Sequence, residues 1–247
     1  MDHKAKNARW ERWHICSLCK QQYHGVVSCA LGWACWKTYL SRPEVDQFRV
    51  SAMGLLGSGL SDAQHHEDAL SVKEAHLSMK QRLGASEVDL LTSRNNLAGS
   101  YRSLGRFDDC LRTQRDVYSG WLKLCGEENV RTLAAANNYA ATVNSLKRHG
   151  EATALCRKVV PVARRVFGDN HQLTLTIRWN YALALCKDNG ATLEDLREGV
   201  TTLQDLTPTA RRVLGGAHPT AKDIEGDLRT ARKVLRALEL RSESPNA

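Results

Sequence analysis

The sequence predicts an all-α chain built as a right-handed helix-turn-helix solenoid with capping helices at both ends. Two observations carry this. Asn96-Leu97-Ala98, Asn138-Tyr139-Ala140 and Asn180-Tyr181-Ala182 recur at intervals of 42 residues. A glycine marker keeps the same beat at Leu83-Gly84, Cys125-Gly126 and Phe167-Gly168, and Leu214-Gly215 follows after 47. A fixed period of about 20 to 50 residues signals stacked units, each of which must bury its apolar face on a neighbour.

The elements follow in order. Residues 1–42 are a Cys/Trp-rich segment. Within it the apolar run Cys29 to Leu40 reads as a buried helix packed on the first repeat, and Trp10, Trp13, Trp33 and Trp36 read as a hydrophobic cap. The repeat array spans 43–241, in units of about 43–84, 85–126, 127–168 and 169–215, and a tail of 242–247 follows it. The first unit is degenerate, with Met53 to Leu60 in its first helix. Its Gly54-Leu-Leu-Gly-Ser-Gly59 looks faintly like a dinucleotide turn, but no strand pattern precedes it and it falls in phase with a helix.

In the second unit Leu90, Leu91, Leu97, Ala98, Tyr101 and Leu104 form one apolar helical stripe. Gly105-Arg106 breaks it, and Phe107 opens a helix that Gly126 stops. The third unit repeats this from Thr132 to Leu146, with a turn over 147–150 and a second helix to Phe167. The fourth has a longer turn over 187–192, and its five extra residues fall in that turn or near Thr207-Pro208. A helix break is expected at Pro208, since proline removes a backbone donor and clashes with the preceding turn. A last helix, about 218–240, buries Ile224, Leu228, Ala231, Val234, Leu235 and Leu238 and caps the array.

The motif Asn-x-Ala-x-x-Tyr, then Leu-Gly-Arg-Phe-Asp-Asp-Cys-Leu, then a Gly-x-x-His/Glu/Asn stop resembles the tetratricopeptide repeat. At this period it resembles the kinesin light chain variety, with Leu97, Ala98, Tyr101, Gly105, Phe107 and Cys110 at the motif positions. Leu214-Gly-Gly-Ala-His218-Pro219 matches that class's inter-repeat signature. Lys147 stands where the turn glycine belongs and His149 where the aromatic belongs. The heptad coiled coil by which kinesin light chains hold their heavy chain has no counterpart, so motor association is not implied. The resemblance implies a concave groove for a protein or peptide ligand, lined by Asn95, Arg102, Asn137, Asn144, Trp179 and Lys187. Asn can satisfy a peptide amide and carbonyl together, and Arg102 and Lys187 favour an acidic ligand. Asn96, Asn138 and Asn180 read as structural links inside the stack.

The net charge of +8 raises nucleic acid as a partner. The charges are dispersed, however: Thr207 to Arg241 carries eight Lys/Arg against four Asp/Glu, and no like-charge block occurs. The reading is a solvated surface. No apolar run reaches the ~18 residues of a membrane span, and residues 1–13 are polar and basic, unlike a secretory leader. A reducing cytoplasm, or a nucleus, is the expected compartment, with the eight cysteines as thiols or metal ligands. Cys16, Cys19, His24 and Cys29 have zinc-knuckle spacing, although Lys20 replaces the usual glycine and Cys29 opens the apolar run. Phosphate-loop, His-Glu-x-x-His and Gly-x-Ser-x-Gly motifs are absent, so no catalytic residue and no cofactor is expected. The sequence points to a non-catalytic scaffold. A zinc-stabilised nucleic-acid adaptor and a purely structural assembly module are the alternatives.

Overall fold

The computed structural model describes residues 10–243, with side chains through 240. The polar start of the chain and the 242–247 tail, read above from sequence, lie almost wholly outside the described residues. Ten named helices follow: α1 Gly25–Tyr39, α2 Gln47–Asp62, α3 His66–Arg82, α4 Glu87–Ser103, α5 Phe107–Cys125, α6 Val130–Ser145, α7 His149–Phe167, α8 Gln172–Lys187, α9 Leu193–Leu214 and α10 Pro219–Glu243. Among the described residues the only β-pairing is an isolated bridge between Ile15 and Gln22. The chain forms two compact units, divided after Thr113, inside α5.

Side chains cap the first helix of each repeat unit, close to the repeat interval. Asp46, Ser86, Asn129 and His171 each accept a bond from a backbone N–H in the first turn of α2, α4, α6 and α8. These bonds satisfy donors that have no partner within the helix. Thr192 and Asp195 form a reciprocal capping box on α9. The turns inside the first three helix pairs close alike. His65 N donates to Leu60 O, Arg106 N to Tyr101 O and Arg148 N to Val143 O. In each turn one residue takes the left-handed conformation: Gln64 (φ 66°), Gly105 (φ 70°) and Lys147 (φ 58°). Lys147 therefore performs the glycine's job at a conformational cost of about 1 kcal/mol. The helix after it starts at His149, so Gly150 lies in its first turn rather than in a loop.

In the first unit, α1 packs across α2 at very close range. A Cβ on Gly59 would lie 2.6 Å from the Ser28 carbonyl oxygen and one on Gly32 would lie 3.0 Å from Leu56 Cα. The glycines of the 54–59 stretch serve helix packing inside α2. Cys35, Tyr39 and Ala52 form the core here with Trp10, Trp13, Trp36, Phe48 and Leu55. The sequence expectation of a buried Cys29–Leu40 helix needs correction. The helix begins at Gly25 and buries one face only, leaving Trp33 44% and Leu40 46% exposed. Trp33 thus stands outside the tryptophan cluster.

In the second unit, Leu133, Ala136, Val159, Val162, Ala163 and Ile177 join α6, α7 and α8. Leu175, Val200, Leu203, Leu206, Ile224 and Leu228 join α8, α9 and α10. The five extra residues divide: the α8–α9 turn is two longer than the α6–α7 turn, and α9 is three longer than α7. The break expected at Pro208 does not occur, and α9 runs through it. Pro208 is exposed, so the carbonyl it leaves unpaired can meet water. Buried Leu203, Leu206 and Ala210 on either side hold the helix against its neighbours.

Candidate functional site

In the first unit, Asn95 and Arg102 stand seven residues apart on α4, two turns along one face. Asn95 is half-buried and Arg102 is exposed. The other four groove candidates lie in the second unit, on α6 and α8.

Asn137 and Asn144, also seven apart on α6, meet α8 through one residue. Asn180 Nδ2 donates to Asn137 Oδ1 at 3.0 Å, and Asn144 Nδ2 donates to the Asn180 carbonyl at 2.9 Å. Asn180 is 8% exposed, so this is a part-buried polar seam along two adjacent first helices. Asn144 Oδ1 lies 3.3 Å from His149 Nδ1. Since that oxygen can only accept, the His149 ring carries its proton on Nδ1. Burial pulls the His149 pKa down, and Lys187 and Lys147 assist against the opposing field of Asp188. The residue standing in for the motif aromatic is thus a neutral imidazole bound to the seam.

Trp179 and Lys187 on α8 converge on one carboxylate. Trp179 Nε1 donates to Asp227 Oδ2 at 2.9 Å, and Lys187 Nζ lies 3.6 Å from Asp227 Oδ1. Asp227 sits on α10, which the sequence analysis read only as a capping helix. The signal available was the acidic series Asp223, Glu225, Asp227 on a helix otherwise rich in Arg and Lys. The tyrosines of the two Asn-Tyr-Ala triplets have a repeated structural partner. Tyr139 donates to Glu151 at 2.5 Å and Tyr181 to Glu198 at 2.6 Å, each tying a first helix to the second helix of its pair. Burial first, then the facing carboxylate, pushes Tyr139 up to about 12.

The four knuckle residues are not brought together. Cys16 and Cys19 share a tight turn in which Lys20 N donates to Cys16 O and Lys20 is left-handed. His24 is instead the residue before α1 and Cys29 packs with the α2–α3 core. Among the described residues no group of three or more His, Cys, Asp or Glu is placed to hold a metal ion. Backbone N–H groups of Cys19 and Leu18 lower the Cys16 thiol to about 7, whereas burial raises Cys35 and Cys156 to about 12. Among the described residues no helix is long and apolar enough to cross a membrane.

Residues 90–130 and 131–190 match tetratricopeptide repeat family models. No curated protein matches the chain. Several solved structures share its fold. A Podosopora anserina protein described as a kinesin light chain with nearly identical TPR-like repeats is 16% identical with a TM-score of 0.63, over 74% of this chain and 86% of that one. BtubC (BKLC) from P. vanneervenii is 14% identical with a TM-score of 0.57, over 89% and 92%. A Rap protein complexed with Competence and Sporulation Factor is 14% identical with a TM-score of 0.56, over 85% of this chain and 60% of that one. Residues 90–190 carry tetratricopeptide repeats, and the chain has the all-α fold of the kinesin light chain-like repeat structures.

Proposed function

We propose that this chain is a non-catalytic scaffold that binds acidic segments of a partner protein through first-helix residues of each unit. Asn95 and Arg102 would contribute in one unit, and Asn137, Asn144, Trp179 and Lys187 in the other. One observation carries the reading. An acidic side chain, Asp227, already sits on two of these residues, taking a bond from the Trp179 indole and facing the Lys187 ammonium. An indole N–H and an ammonium meeting at one carboxylate form a receptor for an acidic group. Arg102, exposed on α4, offers a guanidinium of the same preference. Asn144 spends its amide within the seam, so its part is to hold α6 against α8. Asn137 uses its oxygen there and keeps its amide donors for a peptide carbonyl. Support by analogy comes from the Rap structure of the same fold, which holds Competence and Sporulation Factor. A cytoplasmic or nuclear setting, where cysteines stay as thiols, belongs to the same reading.

The test is selection from an unbiased displayed peptide library with the wild-type chain, Arg102→Gln and Lys187→Gln. Both positions are exposed, so the substitutions leave the fold intact. Enrichment of acidic sequences by wild type, weakened at least about fivefold by either variant, is expected for loss of a charge-assisted contact. Absence of enrichment, or peptides bound equally by all three proteins, would overturn the proposal.

A further inference from the structure

In the first unit, α2, α3 and α4, with Trp10 and His14, line a half-open cavity of about 300 Å³, at the small end of ligand pockets. Its polar lining includes Ser51 and Ser58 of α2, Lys73, His76 and Lys80 of α3, and Ser93 of α4, and among the described residues it contains no Asp or Glu. The spacing 73, 76, 80 places both lysines and the histidine on one face of α3. Glycines of α2 make the space. A Cβ on Gly54 would lie 2.9 Å from His76 Cε1, and one on Gly57 would lie 3.0 Å from Lys73 Cγ.

Every charged or buried polar group here is a donor or has a proton to give. Lys73 Nζ donates to Ser61 Oγ at 2.6 Å and to Ser100 Oγ at 2.9 Å. Lys80 Nζ donates to Ser93 Oγ at 3.0 Å. Hydroxyls solvate these ammonium groups without neutralising them, and each serine that accepts from a lysine retains its own O–H. Asp62 is the carboxylate whose field reaches Lys73, and burial outweighs it, lowering the Lys73 pKa. His76 Nε2 and His14 Nδ1 are buried without a hydrogen-bond partner. Burial, with Lys80 adding to it, pushes His76 down to about 4, so its ring is neutral at pH 7 with one N–H to place. Unpaired buried donors and part-buried cations cost stability unless an acceptor meets them. The missing partner is therefore small, anionic and rich in acceptors. Donors arriving from three helices suit a tetrahedral oxyanion better than a planar carboxylate.

We infer that this cavity binds a phosphate monoester, with Lys73 and Lys80 supplying charge and Ser93 and His76 supplying neutral donors. The inference is independent of the proposed acidic-segment binding, which uses none of these four residues. The group could reach the cavity on a small molecule or on a phosphorylated side chain.

Calorimetric titration of the full chain with inorganic phosphate, O-phospho-L-serine, and a phosphoserine peptide beside its unphosphorylated twin separates these sources. Single-site binding of at least one phosphate-bearing probe is expected, with no binding of the twin. Tighter binding of the peptide than of phosphoserine assigns a protein source, and equal or weaker binding assigns a small molecule. Lys80→Met should weaken binding about tenfold or more. Thr92→Glu, at an exposed lining position, should do the same by placing a carboxylate at the cavity, without disturbing the core. No binding of any probe up to about 10 mM would overturn the inference. So would unchanged affinity in Thr92→Glu.

Discussion

Gly59→Ala and Gly99→Ala make the same chemical change in two helices and should move stability in opposite directions. Both glycines lie inside helices, α2 and α4. Alanine there recovers about 0.5–1 kcal/mol of helix propensity. At Gly99 a new Cβ meets nothing within 4 Å, so that gain stands. At Gly59 it would lie 2.6 Å from the Ser28 carbonyl oxygen and 2.9 Å from Cys29 Cα. Those are backbone atoms of a packed helix and cannot swing aside as a side-chain tip would. Relief requires α1 to shift, loosening Cys35 and Tyr39 in the core it shares with α2. Overpacking costs about 1–3 kcal/mol, and rigid backbone neighbours place Gly59 toward the upper end. The net change is a loss of about 1–2 kcal/mol at Gly59 against a gain of about 0.5–1 kcal/mol at Gly99. With a urea dependence of about 1–3 kcal/mol per molar, the two midpoints should separate by about 1 M. Circular dichroism through a urea series reads this directly. A Gly59→Ala protein as stable as wild type, or a destabilised Gly99→Ala, would refute the packing argument.

Four further outcomes follow from the same geometry. Asn180→Ala strips the buried partner from Asn137 Oδ1 and should cost about 1–3 kcal/mol, lowering the midpoint by about 2–4 °C per kcal/mol; an unchanged thermal midpoint would deny the seam its role. His76 has a folded pKa depressed to about 4 from 6.5, so the unfolded chain binds more protons between those values and stability must fall as pH drops through that window. Urea midpoints from pH 7 to 4 should decline less steeply in His76→Leu than in wild type, and parallel declines would show that the ring does not titrate as its burial demands. Cys16, lowered to about 7, should react with iodoacetamide near neutral pH about fivefold faster than an unperturbed cysteine peptide, because its larger thiolate fraction outweighs its weaker nucleophilicity. Cys35 and Cys156, raised to about 12 by burial, should stay unmodified until urea unfolds the chain, as peptide mass spectrometry would record.

The 42-residue beat determined the helical class and most helix positions, because it reports both where apolar stripes recur and where chains must turn. It announced Gly84, Gly105, Gly126, Gly168 and Gly215 as stops, and each adopts positive φ. Periodicity could not say that Lys147 would take the same conformation, since its bond from Arg148 N to Val143 O depends on the surrounding turn rather than on residue type. Nor could it foresee α9 running through Pro208, where buried neighbours outweigh a local helix-breaking preference. The groove candidates were legible one helix at a time. What each side chain meets was not: Asn180 joining Asn137 to Asn144, and Asp227 receiving Trp179 and Lys187, are contacts across 36 to 48 residues of chain. The cationic face of α3 is written as Lys73, His76 and Lys80 at helical spacing, yet only the packing of α2 and α4 around it makes a cavity. A repeat fixes local conformation through short-range sterics and patterning. Which polar groups are left facing one another, and which are left without partners, is set by how the helices stack.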